Sequence, residues 1–251
     1  PATLSQKKGT QFSFSGAWVE PTINLDNNAV IPAPGNIGTF ESKSRRPGSI
    51  VGNNAATQDY SALGLPVTAG IGLLTASGLG VNYRDVAASN GTSAELVVLG
   101  TGVGAGVELT DRLSIGFMGS VATATMDGIF TGISSSTPDY NLKAALGFTY
   151  EVMDATTIGG FWHTEQKHTF NDFVSFGPPN SDFEDLSISF PQVFGLGIAN
   201  ECLMDGRLLL AADFSYYDWS DTDFFGSIWE DQFAFQAGMQ YTMCCGFQFR
   251  G

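Results

Sequence analysis

From Gln232 to Tyr241 the chain alternates. Phe233, Phe235, Ala237, Met239 and Tyr241 take one parity, and Gln232, Ala234, Gln236, Gly238 and Gln240 take the other. A period of two sends successive side chains to opposite faces of a strand, which predicts one greasy face and one polar face. A half-buried strand of a soluble sandwich carries the same pattern, so repetition has to decide. Residues 10–25, 65–83, 95–109, 113–130, 140–152, 156–170, 186–199, 207–219 and 232–243 each read as strands. The shortest connections are Thr110-Asp111-Arg112, Met153-Asp154-Ala155 and Met204-Asp205-Gly206, and they alternate with longer, acidic, Gly/Ser/Asn-rich ones at 85–94, 131–138, 171–185 and 218–231. Short turns on one rim and long loops on the other are the pattern of an outer-membrane barrel. The expected fold is all-β: a single-domain, antiparallel transmembrane β-barrel of meander topology over residues 1–251.

Spanning helices are excluded, because no window holds the roughly 18 consecutive apolar residues they need. With 31 Gly, 20 Phe and only 14% charged residues, the composition suits a wall that has a lipid face and a lumen face. Several strands exceed the about 9–11 residues of a tilted crossing, and these are expected to project beyond the bilayer. The chain opens at Pro1-Ala2 without a basic and apolar leader, so a secretory signal is expected to be absent or already removed.

Net charge is −14, with the acid gathered in the long loops, which argues against nucleic acid or anionic lipid as a partner. The loops read first as solvated surface. The alternative is divalent-cation bridging to lipopolysaccharide through Asp172, Asp182, Glu184 and Asp185. Cys202, Cys244 and Cys245 form neither a disulfide framework nor a zinc spacing. They read as incidental, with a cross-link between Cys202 and the adjacent pair as the alternative. His163-Thr-Glu165-Gln-Lys-His168 imitates the helical zinc motif with the wrong spacing. On a strand, His163 and Glu165 share a face and His168 takes the other, as a polar patch near a rim. No metal, cofactor or catalytic group is expected.

Two glycine patterns carry more. Gly100, Gly102, Gly104 and Gly106 share one parity, opposite Thr101, Val103, Ala105 and Val107. The apolar parity suits lipid. The bare strip suits close approach by another chain segment or by a ligand, or else a bent wall. Gly195 and Gly197 repeat the arrangement. The run Leu73-Leu-Thr-Ala76-Ser77-Gly78-Leu79-Gly80-Val-Asn-Tyr83 breaks alternation inside a long strand, predicting a kink or bulge, and a departure from the ladder opens a lateral gap unless something covers it.

Several short elements occur together: Pro1-Ala2, Gly9-Thr-Gln-Phe-Ser-Phe-Ser-Gly16 with Pro21 beyond it, Ser77-Gly-Leu-Gly-Val-Asn-Tyr83, and Phe190-Pro191. They continue in Asp213-Phe-Ser-Tyr-Tyr-Asp-Trp219-Ser220-Asp221 and in Trp229-Glu-Asp231-Gln232, which precedes Gly238-Met-Gln-Tyr241. In these the chain resembles the FadL-type outer-membrane transporters of long-chain fatty acids and other hydrophobic compounds. The resemblance implies a fourteen-stranded barrel with an N-terminal hatch in the lumen and an inward kink in the third strand. About nine to ten of those strands are expected here, since the chain starts where the hatch would end and stops at Gly246-Phe-Gln-Phe-Arg-Gly251, like the start of another strand.

The same resemblance puts the kink and passage at Ala76, Ser77, Gly78, Leu79 and Gly80, with Phe12, Phe14 and Trp18 as apolar ligand contacts. Arg84 is a candidate partner for a carboxylate headgroup, since a guanidinium binds carboxylates bidentately, or else an ordinary rim ion pair. The implied function is passive uptake of a hydrophobic small molecule across the bacterial outer membrane, without cofactor, with membrane lipid or lipopolysaccharide as surroundings. The competing class is a structural or adhesive surface protein working through its acidic loops. An enzyme is disfavoured, because the chain has two histidines and no Gly-x-Ser-x-Gly sequence.

Overall fold

The computed structural model describes residues 1–30, 36–129, 137–174, 182–243 and 246–251. A 3-10 turn, Ala2–Gln6, precedes strands β1 (Thr10–Val19), β2 (Asn24–Asn27), β3 (Phe40–Lys43), β4 (Ser49–Asp59) and β5 (Val67–Asn82). Then come β6 (Ser93–Glu108), β7 (Leu113–Ile129), β8 (Thr137–Met153), β9 (Thr156–His163), β10 (Gln166–Val174) and β11 (Glu184–Phe190). The chain ends with β12 (Val193–Leu203), β13 (Leu208–Tyr217), β14 (Gln232–Thr242) and β15 (Gln248–Arg250). Among the described residues, 11 strands form one sheet in the order β1-β4-β5-β6-β7-β8-β9-β12-β13-β14-β15, and the hairpins β2–β3 and β10–β11 stand apart from it. Every described pairing is antiparallel between sequence neighbours once those two hairpins are set aside, as a meander requires. β1 and β15 are its two edges.

Alternation fixes the two faces of this wall. On β6 the odd positions Leu99 and Val103 are exposed, and the register carries that face through Phe117 and Val121 on β7 and Leu142, Leu146 and Phe148 on β8. It continues through Leu196 and Phe214 to Phe235, which is 78% exposed. A soluble monomer rarely shows so continuous an apolar surface; it matches the outward band of a membrane barrel. The opposite face is covered by the protein itself. Leu96, Val98, Ala122 and Ala124, from the even positions of β6 and β7, pack against Phe170, Phe173 and Ile188 of the β10–β11 hairpin and against Phe225.

The strands depart from the sequence pattern where the chain leaves the wall. Predicted segment 156–170 divides at Thr164 and Glu165: Thr164 N donates to Ala144 O at 3.0 Å and Thr164 Oγ1 accepts from Ala144 N at 3.0 Å, after which β10 turns off. Segment 186–199 divides at Pro191, which has no N–H for the ladder. Segment 10–25 ends its wall strand before Pro21. Strand β4 has no counterpart in the predicted set, because Ser49-Ile-Val-Gly-Asn-Asn-Ala-Ala-Thr-Gln-Asp59 shows no period of two; neighbours on both sides hold it in place. Cys202 is an exposed free thiol, and Cys244 and Cys245, with which a cross-link was the alternative reading, lie outside the described residues.

Candidate functional site

The inner face is closed from below by the N-terminal turn. Ala2–Gln6 lies against β5, β6, β7 and β8 in succession. A Cβ added at Gly106 would sit 2.6 Å from Ser5 N, and one at Gly116 would overlap Pro1 and Ala2. The Gly104–Gly106 end of the bare strip on β6 therefore serves close approach of a chain segment, one of the alternatives its spacing left open. The turn is tied down by Ser5 Oγ donating to Ala2 O at 2.9 Å and Thr68 Oγ1 donating to Lys7 O at 3.2 Å. The Lys8–Glu108 pair at 2.6 Å adds a further tie. Gly195 and Gly197 serve something different, making room for the Phe161 ring and the Asp213 carboxylate.

From above, the lumen is covered by β10–β11, which folds inward from the long-loop rim. His168, 1% exposed, places Nδ1 2.9 Å from Asp139 Oδ2 on β8, and Thr169 N donates to the same oxygen at 3.3 Å. This corrects the expected rim patch: the break at Thr164 and Glu165 carries His168 into the protein. Above the hairpin, Phe225 stacks on Trp229 with ring centres 4.5 Å apart, Trp219 meets both edge-on at 5.5 and 4.7 Å, and Phe225 reaches Phe190 at 6.4 Å.

The inner face beside these two covers has two parts. Register aligns Gly102, Ser120 and Lys143 across β6, β7 and β8 on the inner face. Lys143 makes no ion pair among the described residues. A cavity of about 610 Å³ runs from Thr3 and Gln6 along Gly159 and His163 to Asp213. Other grooves of similar size, such as that between Phe148, Leu196, Phe214 and Phe235, lie on the outward face, where acyl chains would fill them.

The wall is broken between β4 and β5. The β4–β5 ladder runs from Asp59↔Thr68 to Asn53↔Leu74 and stops there. Above that level, residues 49–52 of β4 stay paired with β1, while β5 continues with β6 up to Asn82↔Ser93. A register shift between Thr75 and Ser77 makes Ala76 a bulge; a bulge adds one unpaired residue, bends its strand and reverses the parity beyond it. Gly80 thus stands opposite outward Glu95. The bulge falls inside the predicted kink at Ala76, Ser77, Gly78, Leu79 and Gly80. The side chains of Ala76, Ser77 and Leu79 lie outside the described parts, and a Cβ at Gly78 would meet nothing within 4 Å.

The other predicted residues scatter. Phe12 (82% exposed), Phe14 (80%) and Trp18 lie on the outward face, in register through β4 with Ile71 and Leu73, so they would meet a ligand only outside the lumen. Arg84 is exposed and makes no ion pair among the described residues; at that rim the pairs are Arg45–Asp85, at 2.8 Å, and Arg46–Glu95. Nothing in the alternation marked Arg46, although the adjacent Arg45-Arg46 before Pro47 was a visible signal. No three His, Cys, Asp or Glu converge to hold a metal among the described residues, Asp172, Asp182, Glu184 and Asp185 included; Asp185 Oδ1 instead accepts from Asp172 N at 2.9 Å.

The motif residues near the end of the chain organise a rim. Asp231 Oδ1 accepts from Ser220 N at 2.9 Å and its Oδ2 from Tyr216 OH at 2.8 Å; accepting the Ser220 N–H, and next the Tyr216 hydroxyl, holds its carboxyl below the usual carboxylate range. That fixes the turn carrying Trp219, Ser220 and Asp221 against Trp229. Asp213, Gln232 and Gly238 fall on the inner parity of β13 and β14, and Tyr241 on the outer one.

No family model matches the chain, and no curated protein does. Solved structures do. The toluene transporter TodX of Pseudomonas putida matches with TM-score 0.69 and 18% identity, over 100% of this chain and 76% of its own. The CymD monoaromatic hydrocarbon channel gives 0.65 and 13%, over 99% and 75%. A FadL homologue of Pseudomonas aeruginosa gives 0.63 and 12%, over 100% and 72%. At such identities the likeness establishes a shared fold, the FadL-type barrel wall.

Proposed function

We propose that the chain forms the wall of a bacterial outer-membrane channel for passive uptake of hydrophobic compounds, which enter the lumen and leave it sideways between β4 and β5. The observation that carries this is the end of the β4–β5 ladder at Asn53↔Leu74, in a wall whose outward face is apolar. A hydrophobic solute leaving there passes into lipid rather than water, and apolar burial at roughly 25 cal/mol per Å² would supply its affinity at each step. No covalent chemistry is needed. Fold relatives named for toluene and monoaromatic hydrocarbons support a hydrophobic substrate. For a long-chain fatty acid, the inward Lys143 offers a carboxylate partner in line with Gly102 and Ser120.

The test fills the opening. Gly78→Trp is accommodated by the free space at that position and places a large ring at the passage. Uptake of toluene and oleate by cells whose only such channel is this protein should fall sharply, with the folded barrel still present by its heat-dependent mobility in gels. Unchanged uptake of both would remove the lateral route.

A further inference from the structure

We infer that Arg46 sets the width of the wall opening and so the size of hydrophobe that passes. The inference rests on the transport reading above. Arg46 belongs to the connection between β3 and β4, and its side chain lies flat on the outward side of Gly80: a Cβ there would sit 2.6 Å from Arg46 Nε and 2.7 Å from Cδ. Its Nη2 donates to Glu95 Oε1 on β6, the register partner of Gly80. Arg46 thus reaches across β5 from the side where β4 has withdrawn.

The backbone around it takes over the place of β4. Arg45 N donates to Asn82 O at 2.8 Å, and Ser44 Oγ accepts from Asn82 N at 3.0 Å and from Arg46 N at 3.3 Å. The opening is therefore framed: Asn53↔Leu74 closes it below, the Ser44–Asn82 contact closes it above, and the arm of Arg46 crosses its outer lip. An arginine suits this position because its methylene stem presents apolar surface to a passing solute while its head stays bonded in a fixed plane. Gly80 is then a seat for the arm, since any side chain there would lift it off the wall.

Four variants in the whole protein test this, with uptake of benzene and of pyrene measured in the same cells. Arg46→Ala and Glu95→Gln should each raise pyrene uptake several-fold while leaving benzene nearly unchanged. Gly80→Leu, which displaces the arm without touching either charge, should do the same. The exchange Arg46→Glu with Glu95→Arg should restore the wild-type ratio, a rescue that mere loss of surface charge would not give. An unchanged pyrene-to-benzene ratio in Arg46→Ala and Glu95→Gln, or a swap that fails to restore it, overturns the inference. If Gly78→Trp blocks uptake while these variants change nothing, the lateral route stands and only the role of Arg46 falls; if Gly78→Trp has no effect, the route itself falls.

Discussion

His168 Nδ1 lies 2.9 Å from Asp139 Oδ2, and this contact joins a hairpin that has left the wall to the strand it left. His168 Nε2 is buried with no hydrogen-bond partner among the described residues, so the imidazole is held by one bond alone. Asp139→Ala leaves a buried donor unpaired, which costs about 1–3 kcal/mol. The hairpin should loosen without loss of the wall. Hydrogen exchange at β10 and β11 should accelerate while that of β6 and β7 stays slow; uniform acceleration throughout would mean that the hairpin and wall unfold as one unit.

Gly106 and Ser5 make the corresponding test at the other end of the lumen. Gly106→Val puts a branched side chain where the Ser5 amide sits and should expel the Ala2–Gln6 turn from the wall. Trypsin should then cut after Lys7 and Lys8 faster than in the parent, and ion conductance through the barrel in a planar bilayer should rise. Val107→Leu, one residue on and facing outward, should change neither. A conductance equal to that of the parent would show that the turn does not obstruct the lumen.

These two contacts also show what the sequence could and could not tell. The glycine parity of β6 and the bulge near Ala76 were legible because both are period-two signals along one strand. Strand β4 was not, because its polar residues are held by ladders on both sides and no local pattern announces that. Nor was the burial of His168, which depends on Thr164 replacing a ladder partner and on Pro191 ending β11, two local events whose joint effect is a hairpin turned inward. Phe12 and Phe14 were expected as ligand contacts from the family resemblance; only their register through β4 with Ile71 and Leu73 shows that they lie on the outward face.

Asp231 gives the rim an acid sensitivity. Its carboxyl is held below its ordinary value of about 3.9 by the Ser220 N–H and the Tyr216 hydroxyl. A depressed folded-state value contributes stability that is present above the unfolded-state value and is lost as pH falls through the folded one. The turn bearing Trp219 should therefore stay intact down to about pH 4 and open below it. Tryptophan emission should shift in that window for the parent protein. In Asp231→Asn the shift should already be present at neutral pH and the acid step missing; a full acid step in that variant would assign the transition to another carboxylate.

Lys143 separates two kinds of substrate that the wall alone does not. It stands on the inner face in line with Gly102 and Ser120 and makes no ion pair among the described residues. A carboxylate reaching it gains a charge-assisted hydrogen bond, of a kind contributing about 1.5–3 kcal/mol, or roughly tenfold in affinity and upward. A neutral hydrocarbon gains nothing and must share the inner face with an ammonium group. Lys143→Met keeps the stem and removes the charge. Equilibrium binding to detergent-solubilised protein should then weaken by about tenfold or more for oleate and stay level or improve for toluene. Equal loss for both would mean that the substitution deforms the inner face, and no loss for oleate would place the headgroup elsewhere, leaving Lys143 as a wall residue facing water.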